Sequence, residues 1–129
     1  MAIADLIQEV ESLTEPSRDI DVKIGLLVGW QRKVEYANEK EENSRNVIWI
    51  LHGERTARLP RFTDSLEAAL QLLELVAPKY IGGVSWSTDE CGFEATAIVN
   101  NGDYCHGATP ALAVCLAALK IKQSQLEDD

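Results

Sequence analysis

The chain has 129 residues, 46% hydrophobic and 26% charged, which is enough for one domain with a real core and no need of a disulfide or metal. Twelve Lys+Arg against 21 Asp+Glu leave a net charge of −9, which excludes the basic face of a general nucleic-acid binder and electrostatic docking on anionic membranes. No run reaches the roughly 20 apolar residues of a membrane span. The start, Met1-Ala2-Ile3-Ala4-Asp5, lacks a basic n-region, so a cytoplasmic chain without a secretory signal is expected. Cys91, Cys105 and Cys115 are odd in number and lack C-x-x-C spacing, which argues for a reducing interior.

In chain order, Ile3, Leu6, Ile7, Val10 and Leu13 recur at helical spacing and predict a helix over 2–14, ended by Pro16. Ser17 then caps a helix over about 18–29, with Ile20, Ile24, Leu27 and Val28 as its buried stripe and Gly29 as its stop. Residues 31–46 are polar and read as a solvated loop, mobile or inserted. Val47–Leu51 is a run of strand formers, continuous enough to be covered on both faces, with Gly53 after it. A helix over 64–77 follows, capped by Thr63 or Asp64 with Glu67 closing a box, and with Leu66, Ala69, Leu70, Leu73 and Val76 or Ala77 inward.

Tyr80–Thr88 and Phe93–Val99 alternate as a hairpin about Asp89-Glu90-Cys91-Gly92. Asn101-Gly102-Asp103 is a second turn, and Tyr104-Cys105-His106 a short third strand. Thr109 as cap and Pro110 at the first helical position open a last helix to about Gln123, leaving 124–129 as an acidic frayed tail. The expected class is α+β in a single domain over 1–129: one small antiparallel sheet with helices packed on it.

Charge is unevenly spread. Residues 1–45 hold ten acids and six bases, and residues 64–129 hold ten acids and three bases. Between them, 46–63 hold Glu54 alone against Arg55, Arg58 and Arg61. Guanidinium forks suit phosphate, and helix starts at Thr63–Ser65 and Thr109 offer backbone N–H groups and a positive dipole end. The candidate ligand-binding set is therefore Arg55, Arg58 and Arg61 as phosphate grips, with Thr63, Ser65 and Thr109 as hydrogen-bond partners. Gly107 would admit the ligand to the backbone, and Phe62 and Tyr104 would stack on bases. The opposing reading pairs Arg61 with Asp64 or another acid and makes both threonines plain caps. Trp49 and Trp86 are assigned to the core. A nucleophilic site would need Cys105 or Cys91, His52 and Asp103 to converge, and Cys105 and His106 point to opposite strand faces. No metal or cofactor motif is present, so neither is expected.

Three segments carry a family resemblance: Leu59-Pro60-Arg61-Phe62-Thr63-Asp64-Ser65-Leu66-Glu67-Ala68-Ala69; Gly107-Ala108-Thr109-Pro110 through Lys120; and Arg18-Asp19-Ile20-Asp21 with Gly29-Trp30. Together they resemble the phage ABA-sandwich domain family, small proteins of phages and prophage-bearing bacteria. The resemblance implies an α-β-α sandwich, with helices on both faces of a sheet. A second resemblance, in size and α/β content, is to phage anti-Thoeris sponge proteins that sequester cyclic nucleotide immune signals, and it brings no residue with it. The functional expectation is a non-enzymatic anti-defence protein that sequesters a small anionic ligand such as a cyclic nucleotide. The alternatives are an acidic interaction protein that binds or mimics nucleic acid towards a host protein, and a hydrolase of the same signals. An open sheet edge and an alanine-rich last helix make a homo-oligomer plausible in each case.

Overall fold

The computed structural model describes residues 3–36, 45–89, 92–100 and 102–127. Ten elements follow in order: α1 (Ile3–Ser12), α2 (Arg18–Leu27), β1 (Gln31–Tyr36), β2 (Arg45–Leu51), β3 (Glu54–Thr56), α3 (Leu66–Val76), β4 (Gly82–Asp89), β5 (Gly92–Val99), β6 (Cys105–Gly107) and α4 (Pro110–Glu127). The class is α+β, as expected. It carries two three-stranded antiparallel sheets, β1-β2-β3 and β4-β5-β6, instead of one.

The core is built around α4. Every residue from Ala111 to Leu119 is buried, so this helix is enclosed on all sides rather than on one stripe. One side meets Ala95, Ala97 and Val99 of β5 together with β6, and the others meet α1 and α3. Helices α3 and α4 run in the same direction. Cys115 donates its thiol hydrogen to the Phe62 carbonyl at 3.1 Å, just before α3, and Gln125 donates to the Val76 carbonyl at 2.9 Å at the other end. The opposite face of β4-β5-β6 carries Ser85, Thr96 and His106 in one row. There Ser85 and His106 are exposed, and Thr96 Oγ1 lies 3.0 Å from His106 Nδ1. The helices that bury this sheet thus lie against a single face of it.

Several expectations change. Residues 31–36 form strand β1, not a loop, paired from Gln31 opposite Ile50 to Tyr36 opposite Arg45; residues 37–44 of the predicted loop lie outside the described residues. Its Gln, Arg, Lys and Glu have weak strand propensity. Charge supports it instead: Lys33 pairs with Glu35 along the strand at 3.6 Å, and Arg55 of β3 reaches the same carboxylate from another strand. Strand β3 was not foreseen. It follows a two-residue turn in which His52 and Gly53 both take positive φ (52° and 84°), the backbone that a tight hairpin needs.

The α3 cap is Ser65, whose hydroxyl accepts from the Ala68 N–H at 3.2 Å, so neither Thr63 nor Asp64 fills that role. On α3, Leu72 faces the core and Leu70 faces out. Helix α4 continues through 124–127, which were expected to fray, because Gln125 anchors it to the end of α3. Trp49 is buried as expected, but Trp86 is 58% exposed because β4 is an edge strand. The predicted turn residues Glu90, Cys91 and Asn101, and the last two tail residues, lie outside the described residues.

Candidate functional site

The richest polar cluster joins the start of α2 to the loop before α3. Asp21 is buried, with 1% of its surface exposed. Its Oδ1 accepts from the Thr63 N–H at 2.8 Å and lies 2.8 Å from the Thr63 hydroxyl. Its Oδ2 pairs with Arg18 Nη1 at 2.9 Å. The same guanidinium donates to the carbonyls of Leu59 (3.1 Å) and Pro60 (3.3 Å). Ser17 donates its N–H to Thr63 Oγ1 at 3.0 Å, and its own hydroxyl caps α2 by accepting from Ile20. A carboxylate with several donors and a fork with several acceptors leave no buried polar side-chain atom unmatched among the described residues.

This clasp decides most of the predicted binding set. Thr63 is fully buried and spends its N–H and hydroxyl within the chain, so it presents nothing to a ligand. Phe62 is also buried, and its ring is core instead of a stacking platform. The N–H groups of Asp64 and Ser65 donate to the Arg61 carbonyl, at 3.1 and 2.9 Å, and Ser65 is a cap. The anion held beside the α3 start is therefore the protein's own Asp21. Thr109 caps α4 by accepting from the Leu112 N–H at 3.2 Å. Gly107 does admit a close neighbour, but it is α4 itself: a Cβ there would sit 2.7 Å from the Ala113 nitrogen.

The parallel run of α3 and α4 does set both helix starts at one end of the pair. However, Thr109 lies six residues before Cys115, about 9 Å along the helix, and the intervening groups are engaged as described. Of the three arginines, Arg55 is turned onto Glu35 and Arg61 lies 4.0 Å from Asp64, the ion pair that the opposing reading anticipated. Arg58 and Tyr104 stay exposed.

The segments that carry the family resemblance are the ones that meet here. Arg18 and Asp21 close on Leu59, Pro60 and Thr63, Phe62 meets Cys115, and Gly107 meets Ala113. Arg18 was not singled out as a functional residue. Its i,i+3 spacing to Asp21 was the available signal.

Cys91 lies outside the described residues, and the other nucleophile candidates do not assemble into a site. Cys105 is buried and His106 exposed on the other face, and His52 sits in the β2–β3 turn of the other sheet. Burial pushes the Cys105 thiol up, with Lys120 pulling the other way, and burial drives the Cys115 thiol up further. Both changes suppress the thiolate. Among the described residues there is no group of three or more His, Cys, Asp or Glu placed to hold a metal, and no helix is long and apolar enough to cross a membrane.

Of the concavities among the described residues, two bear on binding. A cleft of about 350 Å³ lies between α4 and the β5–β6 connection, lined by Asn100, Gly102, Asp103, Cys105 and Lys120 among others. A broader groove of about 770 Å³ runs along α1 and α2 and is rimmed by Asp5, Glu9, Asp19 and Lys23. The fold thus defines a small α+β domain whose richest polar cluster is internal. No protein family, no curated protein and no solved structure matches this chain.

Proposed function

We propose that the protein acts by binding and not by catalysis, as an acidic interaction protein for a basic protein partner. One observation carries this reading. The α1–α2 groove has three carboxylates on its rim, Asp5, Glu9 and Asp19, and only Lys23 among them as a cation, bonded to Glu9 at 3.0 Å. Asp5 and Glu9 stand four residues apart on one helix and so share a face. The guanidinium groups that would have gripped phosphate offer support in the opposite sense, since two of the three face carboxylates of the chain itself. With a net charge of −9, the surface field draws in a cation-rich partner and repels a free anion. The resemblance to phage-encoded domains suggests a host protein whose nucleic-acid-binding face would be occupied.

The test is fluorescence anisotropy with a labelled Arg/Lys-rich peptide at low and high salt. The double variant Asp5→Asn/Asp19→Asn is compared with Glu67→Gln/Glu74→Gln, which has the same net charge. The expected result is salt-sensitive binding, weakened about tenfold by the first pair and little by the second. Equal weakening by both pairs would mean diffuse charge attraction and would overturn the reading.

A second reading, sequestration of a small anion such as a cyclic nucleotide, is favoured by the Lys120 cleft, where an ammonium shares the lining with Asn100, Gly102 and Ser124. Asp103 in the same cleft opposes it. A thermal-shift panel of cyclic nucleotides decides. A shift lost in Lys120→Ala supports sequestration, and no shift with any member at roughly hundred-micromolar ligand disposes of it.

A further inference from the structure

We propose that the free edge of β4 is a self-association surface, on which a second copy of this chain pairs its own β4 antiparallel to build a continuous six-stranded sheet. Among the described residues, β4 ends its sheet and pairs only with β5. The ladder phase identifies which main-chain groups are free. The Asn100 N–H donates to the Ile81 carbonyl at 2.7 Å, and the register sets Gly82 opposite Val99 and continues to Asp89 opposite Gly92. Hydrogen-bonded pairs alternate along an antiparallel ladder, so Ile81, Gly83, Ser85 and Ser87 turn their N–H and C=O groups to β5. Gly82, Val84, Trp86 and Thr88 turn theirs outward, an unpaired row that accepts another strand.

The usual protections of an edge are missing. From Tyr80 to Thr88 the sequence YIGGVSWST has no charge and no proline. It also exposes apolar surface, with Ile81 85% and Trp86 58% accessible.

Three arguments select a second copy as the occupant. First, two molecules of charge −9 repel over most of their surface, and this uncharged stretch is where like can approach like. Second, pairing about a two-fold axis at Val84 matches outward groups to outward groups, because Gly82 then opposes Trp86 of the other copy and Val84 opposes Val84. Third, that register is self-complementary in shape. Gly82 carries no side chain, and a Cβ there would press 3.1 Å from the Ile98 carbonyl oxygen. Gly82 lies on the same sheet face as Trp86, so in this register each copy's indole lies over the bare glycine backbone of the other.

This surface is separate from the α1–α2 groove, so its test stands apart from the proposed function. Light scattering on the purified chain over a range of micromolar concentrations should give the mass of a dimer. Trp86→Lys, which plants a charge on the edge, should give a monomer, and Tyr104→Lys, on an exposed site away from the edge, should remain dimeric. Amide hydrogen exchange of the unmutated protein covers the case in which Trp86→Lys does not fold. The Val84 and Trp86 amides should exchange slowly, like those of Gly83 and Ser85. A monomer at every concentration, or rapid exchange at Val84 and Trp86 beside slow exchange at Gly83 and Ser85, would overturn the proposal.

Discussion

The loop from Leu59 to Thr63 and the edge of β4 both hold main-chain groups outside regular pairing, and the protein treats them in opposite ways. In the loop, Arg18 takes the Leu59 and Pro60 carbonyls, and Asp21 takes the Thr63 N–H. Charge supplies there what a helix or ladder would otherwise supply. A buried carboxylate is tolerated because it is paired with Arg18 and accepts from Thr63, 42 residues away in sequence. At β4, alternate groups face outward with no such cover among the described residues, and the strand carries no charge from Gly82 to Thr88. The contrast teaches that polar richness in a sequence does not by itself mark a binding surface. Here the motif-bearing polar residues close the fold, while a plain run of Gly, Val, Ser and Trp is left open.

The strongest way to break this contrast is to open the clasp. Asp21→Ala removes the partner of Arg18 and the acceptor of the Thr63 N–H, which is left unsatisfied in the interior, while the Thr63 hydroxyl keeps the Ser17 carbonyl. Chemical denaturation should show a loss of about 3 kcal/mol. Asp21→Asn keeps one acceptor and should lose less. Next comes the seam between β6 and α4. Gly107→Ala forces a methyl to within 2.7 Å of the Ala113 nitrogen, with the Leu112 carbonyl carbon at 3.0 Å, and backbone cannot swing aside as a side chain can. About 2 kcal/mol should be lost in the same assay. The smallest effect is expected on the rim. Arg61 and Asp64 are both more than half exposed at 4.0 Å, so Arg61→Ala should change stability by less than about 0.5 kcal/mol. A large loss from Arg61→Ala would mean that the clasp extends to the surface. A small loss from Asp21→Ala would mean that the loop holds itself without it.

How much of this was legible in the sequence follows from the range of each interaction. α1, α2, the β4–β5 hairpin and the start of α4 were read within a residue or two, because apolar period, Ser17, Thr109 and Pro110 are local signals. The strand at Gln31–Tyr36 was not, because its charged residues carry weak strand propensity and its support comes from β2 and from Arg55 on β3. The cap of α3 was misplaced by one to two residues. Thr63, Asp64 and Ser65 are all competent caps; Asp21 engages Thr63, and Ser65 takes the cap. Similarly, the candidate ligand set was chosen for chemistry that is present but already spent inside the molecule.

Sequence alone determined the class of this protein, its helices and main hairpin, and the excess of acid on its surface, since period, caps and charge are written residue by residue. Tertiary structure alone decided which polar groups are free. Whether an arginine, a threonine or a helix start can meet a ligand depends on what the rest of the chain brings to it. In this fold Asp21, brought from 42 residues away, reaches Thr63 first, while nothing in the chain reaches the outer edge of β4 among the described residues.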